Sequence, residues 1–156
     1  MSQNNKLPKT VLVTGGAGFI GSALVRYLLT KTTMRVVNVD KMTYAANPQT
    51  LEALRQLRPH QHVKLDICDQ KAMAAVVTEI EPDIVIHLAA ESHVDRSIDG
   101  PANFVRTNIL GTYTLLEVVA RYGRKRAAAG LKEPRFVNVS TDEVYGSLGP
   151  DNQFSE

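Results

Sequence analysis

Short β-branched, apolar runs recur along the chain at 10–14, 35–39, 62–65, 84–88 and 135–139. Each is short enough for a strand and bounded by glycine, proline or polar residues. Between them, residues 19–31, 49–57, 70–80 and 103–126 carry apolar positions at the spacing of one helix face. Strand and helix therefore alternate, which predicts βαβ units and a parallel sheet. Runs such as Ile84-Val85-Ile86 are continuously apolar, as expected of strands buried on both faces. With right-handed crossovers the prediction is an α/β, doubly wound sheet of the Rossmann type.

Length and composition change this picture little. At 156 residues, 44% hydrophobic and 22% charged, the chain reads as one globular domain over 10–156 behind a flexible tail at 1–9. A net charge of +2 gives no reason to expect nucleic acid or a membrane surface as partner. The polar N-terminus and the single cysteine, Cys68, suit a cytoplasmic protein. Arg124-Lys125-Arg126 fits the end of a helix, where cations are favoured. No metal is expected: His60 and His62 could supply two ligands, but no third is apparent.

The segment Gly15-Gly16-Ala17-Gly18-Phe19-Ile20-Gly21 follows the first strand and opens the first helix. Glycines at 15, 18 and 21 form a variant of the dinucleotide fingerprint. They allow a tight turn and let backbone N–H groups at the helix N-terminus approach a pyrophosphate. Asp40 stands at the end of the second strand, near the distance at which a carboxylate accepts from the adenosine ribose hydroxyls and repels a 2′-phosphate. NAD is thus expected over NADP, a preference that the neighbouring Lys41 weakens. Asp66 and Ile67 follow the third strand, where they could meet the adenine edge. A helix N-cap role for Asp66 or Asp69 is equally reasonable.

Beyond the last strand stands Thr141-Asp142-Glu143, running into Val144-Tyr145-Gly146. Acids at the carboxyl edge of an open α/β sheet lie where such sheets place their chemistry. Two adjacent carboxyls in unlike surroundings can titrate apart, one as acid and one as base, which is what removing water from a substrate requires. A capped turn with solvated acids is the alternative.

Together with Leu88-Ala89-Ala90-Glu91-Ser92-His93-Val94-Asp95-Arg96-Ser97 and Thr107-Asn108-Ile109-Leu110-Gly111-Thr112, these motifs resemble the N-terminal part of the extended short-chain dehydrogenase/reductase family. More narrowly, they resemble its dTDP-glucose 4,6-dehydratases. The resemblance implies a role for each matching position. Phe19 and Ile20 would lie at the pyrophosphate, and Asp40, Lys41, Met42 and Thr43 around the ribose. Asp66 and Ile67 would contact adenine. Leu88, Ala89, Ala90, Glu91, Ser92 and Thr107 would line the dinucleotide towards the nicotinamide. Ser92 and Thr141 would also touch the hexose, with Asp142 as proton donor and Glu143 as proton acceptor.

The implied reaction oxidises C4 of the hexose, so that the C5 proton becomes acidic enough for Glu143. Asp142 assists departure of the C6 hydroxyl, and reduction at C6 restores the cofactor. The resemblance also implies a homodimer when full length. Its oxidation step uses a Tyr-x-x-x-Lys pair beyond the acid motif. The one match here, Tyr27 with Lys31, lies several turns down the first helix and does not qualify. The chain is therefore expected to be a truncated, inactive cofactor-binding part of a longer enzyme. The alternative is a non-catalytic NAD-binding sensor or interaction module. Truncation would uncover part of the helix at 103–126, with Leu110, Leu115, Leu116 and Val119 as candidates, and promote self-association.

Overall fold

The computed structural model describes residues 9–93, 98 and 100–146. The tail at 1–8, the motif residues 94–97 and the loop at 149–156 lie outside the described residues. Strands β1 (Thr10–Thr14), β2 (Arg35–Asp40), β3 (Gln61–Lys64), β4 (Ile84–His87) and β5 (Arg135–Asn138) form one parallel sheet in the order β3-β2-β1-β4-β5. The helices are α1 (Phe19–Lys31), α2 (Pro48–Arg55), α3 (Gln70–Ile80), α4 (Pro101–Phe104) and α5 (Thr112–Ala128). The expected Rossmann-type doubly wound fold is present.

Two apolar layers sandwich the sheet. On one face Val11, Val13 and Val36 pack with Val25, Leu28 and Leu29 of α1 and Leu51 and Leu54 of α2. On the other, Leu12, Val37, Val39 and Val85 pack with Met73, Val77 and Ile80 of α3 and Leu115, Val118 and Val119 of α5. Register explains the division. Val11 pairs with Val36 and Leu12 with Val37, so alternate residues of paired strands deliver matching side chains to each layer.

The layers are unequal at β4 and β5. β1 is buried throughout, but in β4 only Val85 and His87 are buried while Ile84 and Ile86 are half-buried. The expectation that Ile84-Val85-Ile86 is buried on both faces is therefore corrected. α1 and α2 cover β1 and β2 but reach β4 only partly. Alongside it, Arg135 and Val137 of β5, the partners of Ile84 and Ile86, are exposed.

Helix starts follow local chemistry. Asn47 accepts from the Thr50 N–H at 3.1 Å, and Pro48 occupies the first turn of α2. Asp69 accepts from the Ala72 N–H at 3.0 Å and caps α3. The long helix expected at 103–126 begins earlier, at Pro101, and is interrupted by a π-helical segment, Val105–Gly111. At its end Gly111 packs so tightly on Ile67 that a Cβ would stand 2.7 Å from Ile67 Cδ1. Of the side chains expected to lose cover, Leu115 and Val119 are buried, while Leu110 and Leu116 are exposed.

Candidate functional site

The order of strands reverses direction between β1 and β4, and a cleft opens at their carboxyl ends, where such folds hold ligands. Its volume is about 500 Å³. The glycine loop forms its floor. Gly15 has φ +75° and donates its N–H to the Val39 carbonyl at 2.9 Å. A Cβ at Gly15 would stand 2.7 Å from the Ala89 backbone nitrogen. At Gly21 a Cβ would collide with the Gly15 carbonyl oxygen, and at Gly16 with the Asn38 amide. Gly18 is less constrained, its nearest neighbour standing at 3.4 Å.

From this loop α1 departs without a side-chain cap and without an acid in its first turn. Its first N–H groups have no partner within the helix, and the positive end of its dipole lies at the cleft. Gly15, Gly18, Phe19, Ile20 and Gly21 all line the cleft. This is a cradle that fits a dinucleotide pyrophosphate: backbone donors, a positive helix end, and a tight turn whose close approaches leave no room for a Cβ at Gly15 or Gly21.

Asp40 lines the next wall and is 9% exposed. One carboxylate oxygen accepts from the Ala17 N–H at 2.9 Å and the other from the Met42 N–H at 2.8 Å. Asp40 thus fastens the glycine loop to β2, and each oxygen keeps a further lone pair for a ligand hydroxyl. Met42 contributes this N–H from a left-handed backbone, φ 62°. Its side chain packs against the core layer of α1 and α2 rather than lining the cleft. Lys41 and Thr43 do line it, and Lys41 Nζ lies 2.8 Å from Asp66 Oδ2.

Asp66 and Ile67 form the third wall. Burial pushes the Asp66 carboxyl up, but the Lys41 ammonium and the Cys68 N–H more than reverse this, and it lies below its ordinary value. Of the two candidate helix caps it is Asp69 that serves. Asp66 instead turns onto the Cys68 N–H at 3.0 Å.

Leu88, Ala89, Ala90, Glu91 and Ser92, with Thr107, close the cleft from the β4 side. Asn108 positions this loop. Its amide oxygen accepts from the Glu91 N–H at 2.8 Å and its amide nitrogen donates to the Glu91 carbonyl at 2.9 Å. Below, His87 is 2% exposed and lies between Thr14 Oγ1 at 2.7 Å and Thr112 Oγ1 at 3.0 Å. Burial lowers its pKa to about 4, so the ring is neutral at physiological pH. The Ala89 N–H also donates to Thr14 Oγ1 at 3.4 Å, which ties the loop after β4 to the same group.

Several residues at this site were not read from the sequence. Val39, Ala45, Leu65, Val139 and Ser140 line the cleft as well, beside Ala46 of the ribose loop and His93, whose place after Ser92 in the motif puts it near the site. Tyr44 bridges its two rims, donating to Glu91 Oε2 at 2.9 Å while its ring stacks on His93 at 5.4 Å. The polar and aromatic character of Thr43-Tyr44 was the available signal.

Thr141, Asp142 and Glu143 stand just past the lining residues Val139 and Ser140 and do not line the cleft themselves. The Thr141 hydroxyl accepts from the Glu143 N–H at 3.3 Å and opens the 3₁₀ turn Asp142–Tyr145. All three side chains are exposed.

Comparison with known proteins agrees with this arrangement. The family model described as GDP-mannose 4,6 dehydratase matches residues 12–156. A dTDP-glucose 4,6-dehydratase of Haemophilus influenzae is 52% identical over 138 residues, covering 88% of this chain and 41% of that protein. Among solved structures, a dTDP-glucose 4,6-dehydratase of Bacillus anthracis in complex with NAD superposes with TM-score 0.77 at 37% identity, covering 95% of this chain and 42% of that one. One from Streptomyces venezuelae, with NAD bound, gives TM-score 0.77 at 41% identity over 92% of this chain and 43% of that one. The chain spans about two fifths of the length of the curated relatives it matches. Because the family match begins within β1 and continues through the acid triplet, the chain belongs to the GDP-mannose 4,6 dehydratase family, and within it resembles the dTDP-glucose 4,6-dehydratases.

Proposed function

We propose that this chain is the cofactor-binding part of an NAD-dependent dehydratase that converts dTDP-glucose to dTDP-4-keto-6-deoxyglucose in the cytoplasm. The observation that carries the proposal is the cleft at the strand-order reversal, with its glycine floor, uncapped α1 and Asp40 wall. The N–H groups at Phe19 and Ile20 bind the pyrophosphate, Asp40 holds the adenosine ribose, and Asp66 with Ile67 borders the adenine. The loop from Leu88 to Ser92, held by Asn108, borders the nicotinamide together with Thr107.

Bound NAD supplies the hydride acceptor and donor. The chain's own residues supply the proton chemistry. Glu143 takes the C5 proton, Asp142 delivers one to the departing C6 oxygen, and Thr141 and Ser92 hold the hexose. The position of the triplet directly beyond Val139 and Ser140 supports this assignment, since a hexose reaching out of the cleft would meet it next. An apolar stripe on α5 and the π segment, formed by Val105, Ile109, Tyr113 and Leu116, is exposed. It supports the extension of this reading to a chain that is incomplete alone and to a homodimeric full-length enzyme.

Calorimetric titration of the chain with NAD⁺ and NADP⁺ tests the cofactor assignment. NAD⁺ is expected to bind, with NADP⁺ weaker by about tenfold or more, as a carboxylate facing a 2′-phosphate requires. Absence of binding by either nucleotide would overturn it.

A further inference from the structure

Asp40 accounts for a preference for NAD, yet the residue after it is a lysine. A cation near that carboxylate is how related folds accept the 2′-phosphate of NADP. The structure shows what becomes of this cation. Lys41 Nζ lies 2.8 Å from Asp66 Oδ2, and the Arg106 guanidinium approaches the same oxygen at 4.0 Å. Asp66 is itself held by the Cys68 N–H at 3.0 Å, and the Cys68 thiol donates to the Arg106 carbonyl at 3.2 Å. The end of β2, the loop after β3 and the π segment thereby meet around one carboxylate.

The charges balance only because of Asp66. With Asp40, Lys41, Asp66 and Arg106 in place, two cations face two anions. Without Asp66, a lysine and an arginine would flank the ribose wall with Asp40 alone against them. The ion pair contributes little to stability, because the Lys41 side chain is 49% exposed and solvent screens such pairs. Its consequence lies in the potential of the cleft, which both residues line. The depressed Asp66 carboxyl agrees with a pair that remains charged at neutral pH.

We propose that Asp66 is a second specificity-determining residue, which engages Lys41 and so denies the cleft a ligand for a 2′-phosphate. The proposal rests on the cofactor reading given above. It divides discrimination between two carboxylates. Asp40 repels the phosphate directly, and Asp66 withholds the cation that would otherwise offset that repulsion.

The test is calorimetric titration of the chain with NAD⁺ and NADP⁺ in wild type, Asp66→Asn, Lys41→Met and the double variant. Asparagine retains the oxygen that accepts from Cys68, so the local turn is preserved. Asp66→Asn is expected to shift the affinity ratio towards NADP⁺ by about tenfold, chiefly through tighter NADP⁺ binding. Lys41→Met is expected to move that ratio much less than Asp66→Asn does, because Asp66 already engages the ammonium in wild type. The double variant is expected to lose the gain made by Asp66→Asn.

A ratio in Asp66→Asn within about twofold of wild type, where a freed cation should act strongly, would overturn the proposal. So would a gain that persists in the double variant. If Asp66→Asn fails to fold, Asp66→Ser, which also removes the charge and keeps an oxygen to accept from Cys68, replaces it under the same criterion. Failure of the wild type to bind NAD⁺ would remove the cofactor reading and this inference together. NAD⁺ binding with unmoved ratios would remove only this inference.

Discussion

The glycine loop and the Thr141-Asp142-Glu143 triplet both follow strands of one sheet, at the same carboxyl edge, yet their surroundings are opposite. Around the loop the backbone is tied to distant strands and loops. Gly15 reaches the Val39 carbonyl, Asp40 fastens Ala17, and Asn108 and His87 brace the loop after β4. The triplet has local hydrogen bonds among its own members and no buried side chain. The cofactor cradle is therefore built by long-range packing within this chain. The acid pair is displayed in a local turn, open to contact from a ligand or from further protein. One region should respond to substitution through stability and binding, the other through turnover alone.

The largest effect is expected at the loop. Gly15→Val would place a β-branched side chain at φ +75° and drive its Cβ to 2.7 Å from the Ala89 backbone. Left-handed strain and overpacking together should cost about 3 kcal/mol or more. Urea denaturation should show this loss, and calorimetry should show NAD⁺ binding abolished. Gly18→Ala is the contrasting control, since its Cβ would meet nothing closer than 3.4 Å. Comparable damage from both substitutions would mean that backbone entropy, rather than close approach at the cleft, sets the glycine requirement.

The second effect separates the regions by pH. His87 is neutral in the fold with a pKa of about 4, against 6.5 when unfolded. The unfolded chain therefore binds the extra proton first as pH falls. The stability that this group contributes is complete above about pH 7 and is lost between about pH 6.5 and 4, on the order of 3 kcal/mol in all. Denaturation midpoints at stepped pH should fall across that window. His87→Gln should be less stable at pH 8 but have a flatter profile, and an unchanged slope would place the responsible titration elsewhere.

Much of this contrast was legible in the sequence because it depends on local pattern. Strand and helix periods identified the elements. The glycine spacing marked the floor of the cleft, and the position of Asp40 marked its wall. Boundaries moved by a residue or two at β2, β3, β4 and β5, where pairing rather than composition decides the end, and at α2.

What was not legible is long-range. Lys41 meets Asp66 only because β2 and β3 are neighbours in the sheet, and Asn108 meets Glu91 only because the helix folds back over the cleft. The π segment has the residues of an ordinary helix, and the close approach of Gly111 to Ile67 is invisible before the fold exists. Phe136-Val137-Asn138-Val139 reads as an apolar strand. Yet Val137 and Val139 are exposed, because burial depends on what packs against β5.

The smallest effect on the folded chain, and the sharpest division, concerns the acid pair. Asp142→Asn and Glu143→Gln alter exposed side chains of a short turn, so stability should change by about 0.5 kcal/mol or less. NAD⁺ affinity should stay at the wild-type value, because neither side chain lines the cleft. In a protein completed to the length of its relatives, each substitution should lower formation of the 4-keto-6-deoxy sugar by about 10² to 10⁴, the usual share of a general acid or base. Glu143→Gln should also stop exchange of the C5 proton with solvent, whereas Asp142→Asn should leave that exchange in place and block loss of water. Proton exchange measured by mass spectrometry in deuterated water distinguishes the two. If both substitutions abolish exchange equally, the carboxyls act as one unit, and the separate roles assigned to Asp142 and Glu143 are wrong.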